Sequence, residues 1–210
     1  FAFLYVALLI LVVSSFTGST RARVWSGFSF KWYRALLRDR DMLNAAWLSL
    51  KLAFFSATGA VVLGTLASLV MTRMRYFRSR TLFGALITAP LVMPEVILGL
   101  SLLLLFVSMG NALNGLGIGQ FQPKGVITLW IAHVTFTLAF VTVVISSRMS
   151  ELDKSLEEAA MDLGANEWTT FWKITLPLLA PAILAGALLG FALSIDDFVI
   201  TYFNAGSEQT

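Results

Sequence analysis

A chain of 210 residues that is 58% hydrophobic and 13% charged, with a mean hydropathy of +0.81, cannot hide its apolar surface in a soluble core and is expected in a bilayer. Its net charge of +3 is small and its arginines sit at segment ends, which argues for headgroup contact and against nucleic acid. The lack of Cys removes thiol nucleophiles, disulfides and most structural zinc sites, one His is too few for a histidine-built metal cluster, and without a P-loop motif any driving ATP must bind another subunit.

Phe1 to Phe16 is apolar except for Ser14 and Ser15. At about 1.5 Å per residue it falls a little short of a roughly 30 Å core, so the first span is expected to be truncated at its start. The run lacks the basic region and cleavage site of a signal peptide. A first residue that is Phe, and an end at Gln209-Thr210 soon after an apolar span, read as a piece of a longer protein. Thr17 to Asp41 interleaves Arg21, Arg23, Lys31, Arg34, Arg38 and Arg40 with Trp25, Phe28, Phe30, Trp32 and Tyr33. That mixture suits a segment on the membrane surface, and no nucleic-acid-binding motif accompanies it. Met42 to Met71 reads as the second span, with Lys51 near one end and Ala60, Gly64 and Ser68 at intervals of four that let another helix approach closely. Thr72 to Arg80 is a short loop holding Arg73, Arg75, Arg78 and Arg80.

Leu82 to Val107 reads as the third span. Pro90 and Pro94 cannot donate to the carbonyls of Leu86 and Pro90, so two backbone oxygens lose their helical partners beside Glu95. A carboxylate halfway along a span is expensive and should face a cavity or a partner. It is either part of a packed kink, protonated or paired with an Arg, or a cation-attracting point on a substrate path. Ser108 to Lys124 is a Gly- and Asn-rich loop. Val126 to Ser147, the fourth span, carries Trp130 and His133; a lone His there reads first as a satisfied interhelical hydrogen bonder.

Between two apolar segments lies a charged amphipathic island, Glu157 to Pro177. Ser155 and Glu158 have the spacing of a capping box, and Leu156, Ala159, Ala160 and Leu163 fall on one helical face. Gly164 can stop that helix in the left-handed conformation, and Asn166 can cap a second carrying Trp168, Phe171 and Trp172 until Pro177 blocks continuation. By pattern alone this is either an interfacial hairpin on lipid headgroups or a docking site for another protein. Leu178 to Phe203 is the fifth span, with an unbroken small-residue stripe of Ala182, Gly186, Gly190 and Ser194 that should press on another helix. Asp196 and Asp197 fall near its far end. Adjacent carboxylates cannot share a helical face, so one can point inward while the other caps or meets water.

Glu158-Ala159-Ala160, then Gly164, then Ile174-Thr175-Leu176-Pro177 resembles the EAA loop of the membrane-spanning subunits of bacterial ABC importers. Pro90 to Ile97, Gly99 to Leu102 and Ser194 to Ile200 are similar to segments of spermidine/putrescine importer permeases, particularly the second of the two that pair there. The resemblance implies an all-α, polytopic helical membrane protein of the type I ABC importer permease fold, with five transmembrane helices visible and a sixth to follow. Residues 1–210 would form one transmembrane domain with a cytoplasmic coupling loop at 148–177. It implies that Glu157, Glu158, Ala159, Ala160, Asp162, Leu163, Gly164, Leu176 and Pro177 serve contact with the ATPase.

Charge does not orient the chain. Arg73, Arg75, Arg78, Arg80, Arg148, Lys154 and Lys173 on one side face an equal number on the other, namely the six of Thr17 to Asp41 and Lys124. The cytoplasmic placement of the loop therefore rests on resemblance, and it puts Asp196 and Asp197 at the outer side. The implied partners are a second, different permease subunit, two ATPase subunits, a periplasmic binding protein and the bilayer of a bacterial inner membrane. The chain itself has no catalytic residue, no metal and no cofactor, with ATP and Mg on the partner ATPase. Glu95, Trp130, Asp196 and Asp197 are the candidate substrate-path residues, and freed carbonyls with anionic groups suit a small cation such as putrescine or spermidine. The alternatives are a permease for a sugar, phosphate or sulfate, a membrane-embedded enzyme, which would need acid, base or metal ligands at one depth, and a structural membrane scaffold, which leaves the cost of Glu95 unexplained.

Overall fold

The computed structural model describes residues 2–19, 25–74, 78–117 and 121–206. Arg21, Arg23 and Arg75 of the basic segments lie outside them. Two compact units are distinguished, Phe1–Trp47 and Leu48–Thr210. In the first, α1 (Ala2–Ser14) is apolar up to its last residue, Ser14. Thr17 and Phe28 form an isolated antiparallel bridge, and Phe16, Phe28, Phe30 and Tyr33 pack ring on ring around it. A short helix follows, α2 (Lys31–Leu36), and then α3 (Arg40–Arg73) begins.

The second unit is a helical bundle built around α6 (Val126–Glu151), which buries residues on every turn. Close packing there comes from small residues. Val141 of α6 is wedged between glycines of two neighbours: a Cβ on Gly64 of α3 would stand 3.1 Å from Val141 Cγ1, and one on Gly186 of α9 (Leu176–Asp196) would stand 3.2 Å from it. Gly190 meets the other Val141 methyl at 3.3 Å and the backbone of Ala57 at 3.7 Å. Both small-residue stripes expected to press on another helix therefore do so within this chain. Hydroxyls add directional bonds between α3 and α6: Ser68 donates to the Thr142 carbonyl at 3.1 Å and accepts from Ser146 at 3.0 Å.

Several expectations are corrected. The third span is two helices, α4 (Arg80–Val92) and α5 (Glu95–Gly115), because Met93 and Pro94 take extended ψ angles of 133° and 136°. Proline disfavours the helical conformation of the residue before it, and with Pro94 unable to donate, the ladder ends at Met93. α5 also runs eight residues past Val107, into what reads as loop in the sequence. The fifth span ends at Asp196, and a separate short helix, α10 (Val199–Asn204), packs on α5, where Asn204 Nδ2 donates to the Gly99 carbonyl at 3.2 Å. Pro177 does not stop the helix before it. α8 (Glu167–Thr170) passes through a π turn at Phe171–Thr175 directly into α9, with Pro177 in its first turn. A widened turn spaces the carbonyls that a proline would otherwise strike, so the helix continues through Pro177.

Among the described residues four helices are long and apolar enough to cross a membrane: α3, α5, α6 and the continuous Glu167–Asp196 run. α1 and α4 are apolar but shorter.

Candidate functional site

The loop after α6 is ordered by local capping. α7 (Lys154–Asp162) starts at Asp153, whose carboxylate accepts the Ser155 N–H at 2.9 Å. The capping box expected at Ser155 and Glu158 thus gives way to a simple cap two residues earlier, with Leu156 where a box would need a carboxylate, because Asp153 offers a stronger acceptor than a hydroxyl. The same hydrogen bond holds the Asp153 carboxyl below its ordinary range. Gly164 ends α7 with φ +90°, and Ala165 N–H reaches back to the Ala160 carbonyl at 3.0 Å. Asn166 then caps α8 by accepting the Thr169 N–H at 2.8 Å.

On this scaffold the predicted contact face points away from the chain. Of Leu156, Ala159, Ala160 and Leu163 only Ala160 is buried, and Leu163 is 90% exposed. Met161, Trp168 and Trp172 are exposed beside them. An apolar group on the outside of a well-ordered turn needs cover from lipid or another protein. Glu158 and Asp162 are exposed, Leu176 is half-buried and Pro177 is exposed. Of the three acidic side chains Glu157, Glu158 and Asp162, only Glu157 turns inward: its Oε1 accepts from Arg73 Nη2 and from the Thr175 hydroxyl, each at 2.9 Å. Neither Arg73 nor Thr175 stands out in the sequence, since one is among several arginines of a loop and the other lies inside the motif.

Within the membrane-spanning part, Glu95 is the first residue of α5 and exposed, directly after the Pro94 break. There its carboxylate lies at the positive end of the α5 dipole. Trp130 lines an apolar pocket of about 290 Å³ with Leu48, Lys51, Leu52, Phe55, Val126 and Ile127. A lysine in that pocket makes it a poor place for a cation. Asp196 is exposed, while the Asp197 side chain is buried, so the pair divides as adjacent carboxylates must. Asp197 accepts the N–H groups of Ile200 and Thr201 at 3.3 and 3.0 Å, supplying the open first turn of α10.

His133 joins this cluster as an interhelical hydrogen bonder: Nδ1 lies 2.7 Å from the Ser194 hydroxyl, Nε2 3.0 Å from the Thr201 hydroxyl and 3.6 Å from Asp197 Oδ2. Ser, His and Asp are the residue types of a hydrolytic triad, but Ser194 and His133 are both buried in helix packing, which leaves a substrate no approach. Among the described residues no three His, Asp or Glu side chains converge as a metal site requires.

Residues 60–209 match the model of a family described as the binding-protein-dependent transport system inner membrane component. Over all 210 residues the chain is 52% identical to the putrescine transport system permease protein of Escherichia coli (strain K12), of which it spans 73%. It is 39% identical over 206 residues, 98% of this chain and 74% of the relative, to the spermidine/putrescine transport system permease protein of the same strain. The corresponding permease of Haemophilus influenzae is 38% identical over 206 residues, 98% of this chain and 76% of the relative.

Proposed function

The chain belongs to the family of binding-protein-dependent transport system inner membrane components, and from that premise we propose that it forms half of the path by which an ATP-driven importer carries putrescine or spermidine across a bacterial inner membrane. It is a transport subunit and not an enzyme. The observation that carries the substrate class is identity of 52% along the whole chain with a putrescine permease. In this reading a second, different permease completes the pathway, a periplasmic binding protein delivers the polyamine, and two ATPase subunits hold ATP and Mg.

The exposed face of α7, with Leu163, Trp168 and Trp172 beyond it, is the seat of the ATPase subunit. Glu158, Ala159, Ala160, Asp162 and Gly164 shape that seat; Leu176 and Pro177 connect it to α9. Closure of the ATPase pair on ATP would draw the two loops together and change which side of the cavity is open. Along the path, Glu95 stands where helix breaks leave carbonyls unpaired, and these together offer the anionic and dipolar partners that a dehydrated ammonium needs. Asp196 lies at the outer end as a solvent-facing charge. Asp197 is engaged within the chain and acts by shaping that end, and Trp130 contributes only from a face that also carries Lys51.

The test is uptake and ATPase activity of the full-length chain expressed with its partner permease, ATPase and binding protein. Polyamine-loaded binding protein should stimulate hydrolysis, and Leu163→Arg should release the ATPase subunit. Stimulation by a sugar-loaded or phosphate-loaded binding protein in place of the polyamine form would refute the substrate class.

A further inference from the structure

The outer face of α7 is taken up by the seat for the ATPase subunit, and its inner face carries something else. Glu157 lies there, one residue before the Glu158-Ala159-Ala160 triplet, and a single oxygen of it, Oε1, accepts two hydrogen bonds from elements remote in sequence. One comes from Arg73 Nη2 at 2.9 Å, 84 positions away, and the other from the Thr175 hydroxyl at 2.9 Å, 18 positions away. Arg73 is the last residue of α3 and Thr175 the last of the π turn that opens into α9. One carboxylate therefore ties the docking helix to the ends of two long helices. The ion pair is largely withdrawn from water, with side chains 17% and 20% exposed, so it is screened less than a surface pair.

A second observation shows that this contact is incomplete. Arg73 Nε is buried and has no hydrogen-bond partner. A guanidinium offers Nε and Nη as a fork that matches both oxygens of a carboxylate, and here one tine is used. A buried donor left unpaired is unfavourable, so the fork gains by taking Glu157 Oε2 wherever α7 can turn to present it. Space for that turn exists: a cavity of about 530 Å³ opens beside the pair, lined by Arg73, Glu157, Thr170 and Thr175 among others.

We propose that Arg73, Glu157 and Thr175 form a two-position joint that passes movement of the docking helix to the membrane helices. In the position seen here Glu157 is shared, so α7, the end of α3 and the base of α9 are bound as one body. In the other, Glu157 pairs side-on with both nitrogens of Arg73 and lets go of the Thr175 hydroxyl, so α7 stays with α3 while the base of α9 is free to shift. Arg73 and Thr175 are positioning residues that act through Glu157. The inference rests on the reading of α7 as the ATPase seat.

The experiment uses the complete importer in proteoliposomes and measures putrescine carried per ATP hydrolysed, together with retention of the ATPase subunit. Thr175→Val removes the hydroxyl at nearly constant volume, and Arg73→Ala removes the fork. Both are expected to lower the transport-to-hydrolysis ratio about fivefold, a change typical of losing one modest interaction, while the ATPase subunit stays bound. Arg73→Lys, which keeps the charge without the fork, should fall between, and the exchange R73E with E157R should recover most of the ratio. An unchanged ratio in Thr175→Val and Arg73→Ala overturns the proposal. So does a loss in Arg73→Ala that the exchange does not recover while Thr175→Val is normal, since Arg73 would then serve packing alone. If Arg73→Ala fails to assemble, Thr175→Val and the exchange decide the matter. Leu163→Arg in the same preparation separates the two ideas: retention of the ATPase subunit there sinks the docking assignment, whereas a failed joint leaves its release intact.

Discussion

Replacing Asp197 separates a structural carboxylate from a substrate-binding one. Its side chain is buried at the junction of α9 and α10, with Oδ1 accepting from Ile200 N and Oδ2 from Thr201 N. Asp197→Ala leaves both N–H groups without a partner in a packed site, at about 1 kcal/mol or more each, and strips His133 of its acidic neighbour, for a total of about 3 kcal/mol. Asp197→Asn retains one acceptor oxygen and should cost about 1 kcal/mol. Titration of the purified complex from bicelles into SDS, followed by tryptophan fluorescence, reads the difference directly; 3 kcal/mol is about a hundredfold change in the folded ratio. Putrescine uptake should fall in proportion to folded protein for both variants. Unfolding of Asp197→Ala at the same SDS fraction as the parent would refute the capping account. Loss of uptake in a fully stable Asp197→Asn would instead assign the charge to the substrate.

Gly190→Leu should destabilise the bundle by about 1–3 kcal/mol through overpacking, because its Cβ already meets Val141 Cγ2 at 3.3 Å and Ala57 Cα at 3.7 Å; the same SDS titration checks it, and Val141→Ala in the double variant should recover part of the loss. Glu95→Gln should lower polyamine uptake with assembly intact, read by uptake against the amount of complex recovered, and unchanged uptake would remove Glu95 from the path. The Asp153 carboxyl titrates below its ordinary range because it accepts the Ser155 hydrogen bonds. With its folded value depressed, its support for α7 is present above the ordinary aspartate range and is lost as pH falls through that range and below it. Hydrogen exchange at the Ser155 amide should therefore accelerate on acidification, and in Asp153→Ala it should be fast and independent of pH in that window once intrinsic exchange is subtracted.

What the sequence makes legible here is what depends on local chemistry. Gly164 stops a helix because only a residue without Cβ sits easily at φ +90°, and Asn166 caps the next because its side chain is short enough to reach the Thr169 N–H. The stripes through Gly64 and Gly186 signal close approach, although nothing in them says that both close on the same residue, Val141. The misreadings come from competition between neighbours and from distance. Asp153 takes the cap from Ser155 because a carboxylate outcompetes a hydroxyl. Pro177 is accommodated because the π turn at Phe171–Thr175 precedes it, and a single widened turn of five residues is too short to leave a periodic signature in the sequence. The meeting of His133 with Asp197, and of Arg73 with Glu157, follows from helix register in the assembled bundle, which sequence spacing of 64 and 84 positions cannot express.

The two breaks in the membrane helices, at Met93-Pro94 and at Asp197-Phe198, belong to one arrangement. A break on its own leaves carbonyls and N–H groups unpaired in a medium with no water to satisfy them. Here the second break is filled by Asp197 from within the chain, and the short helix it starts then packs on the first turns of α5, where a Cβ on Gly99 would stand 3.1 Å from Phe203 and 3.4 Å from the Ile200 backbone. Glu95 stands one turn before Gly99. A tilt of α10 about the Asp197 anchor therefore bears on Gly99, whose missing side chain leaves no compliant layer between the two backbones, and carries the start of α5 with it. The continuous run from Trp168 through the π turn to Asp196 joins the exposed tryptophans of the loop to that anchor. On the proposed reading, movement at the loop would reach the start of α5 and Glu95 through this packed backbone, with Asp197 as the fixed point.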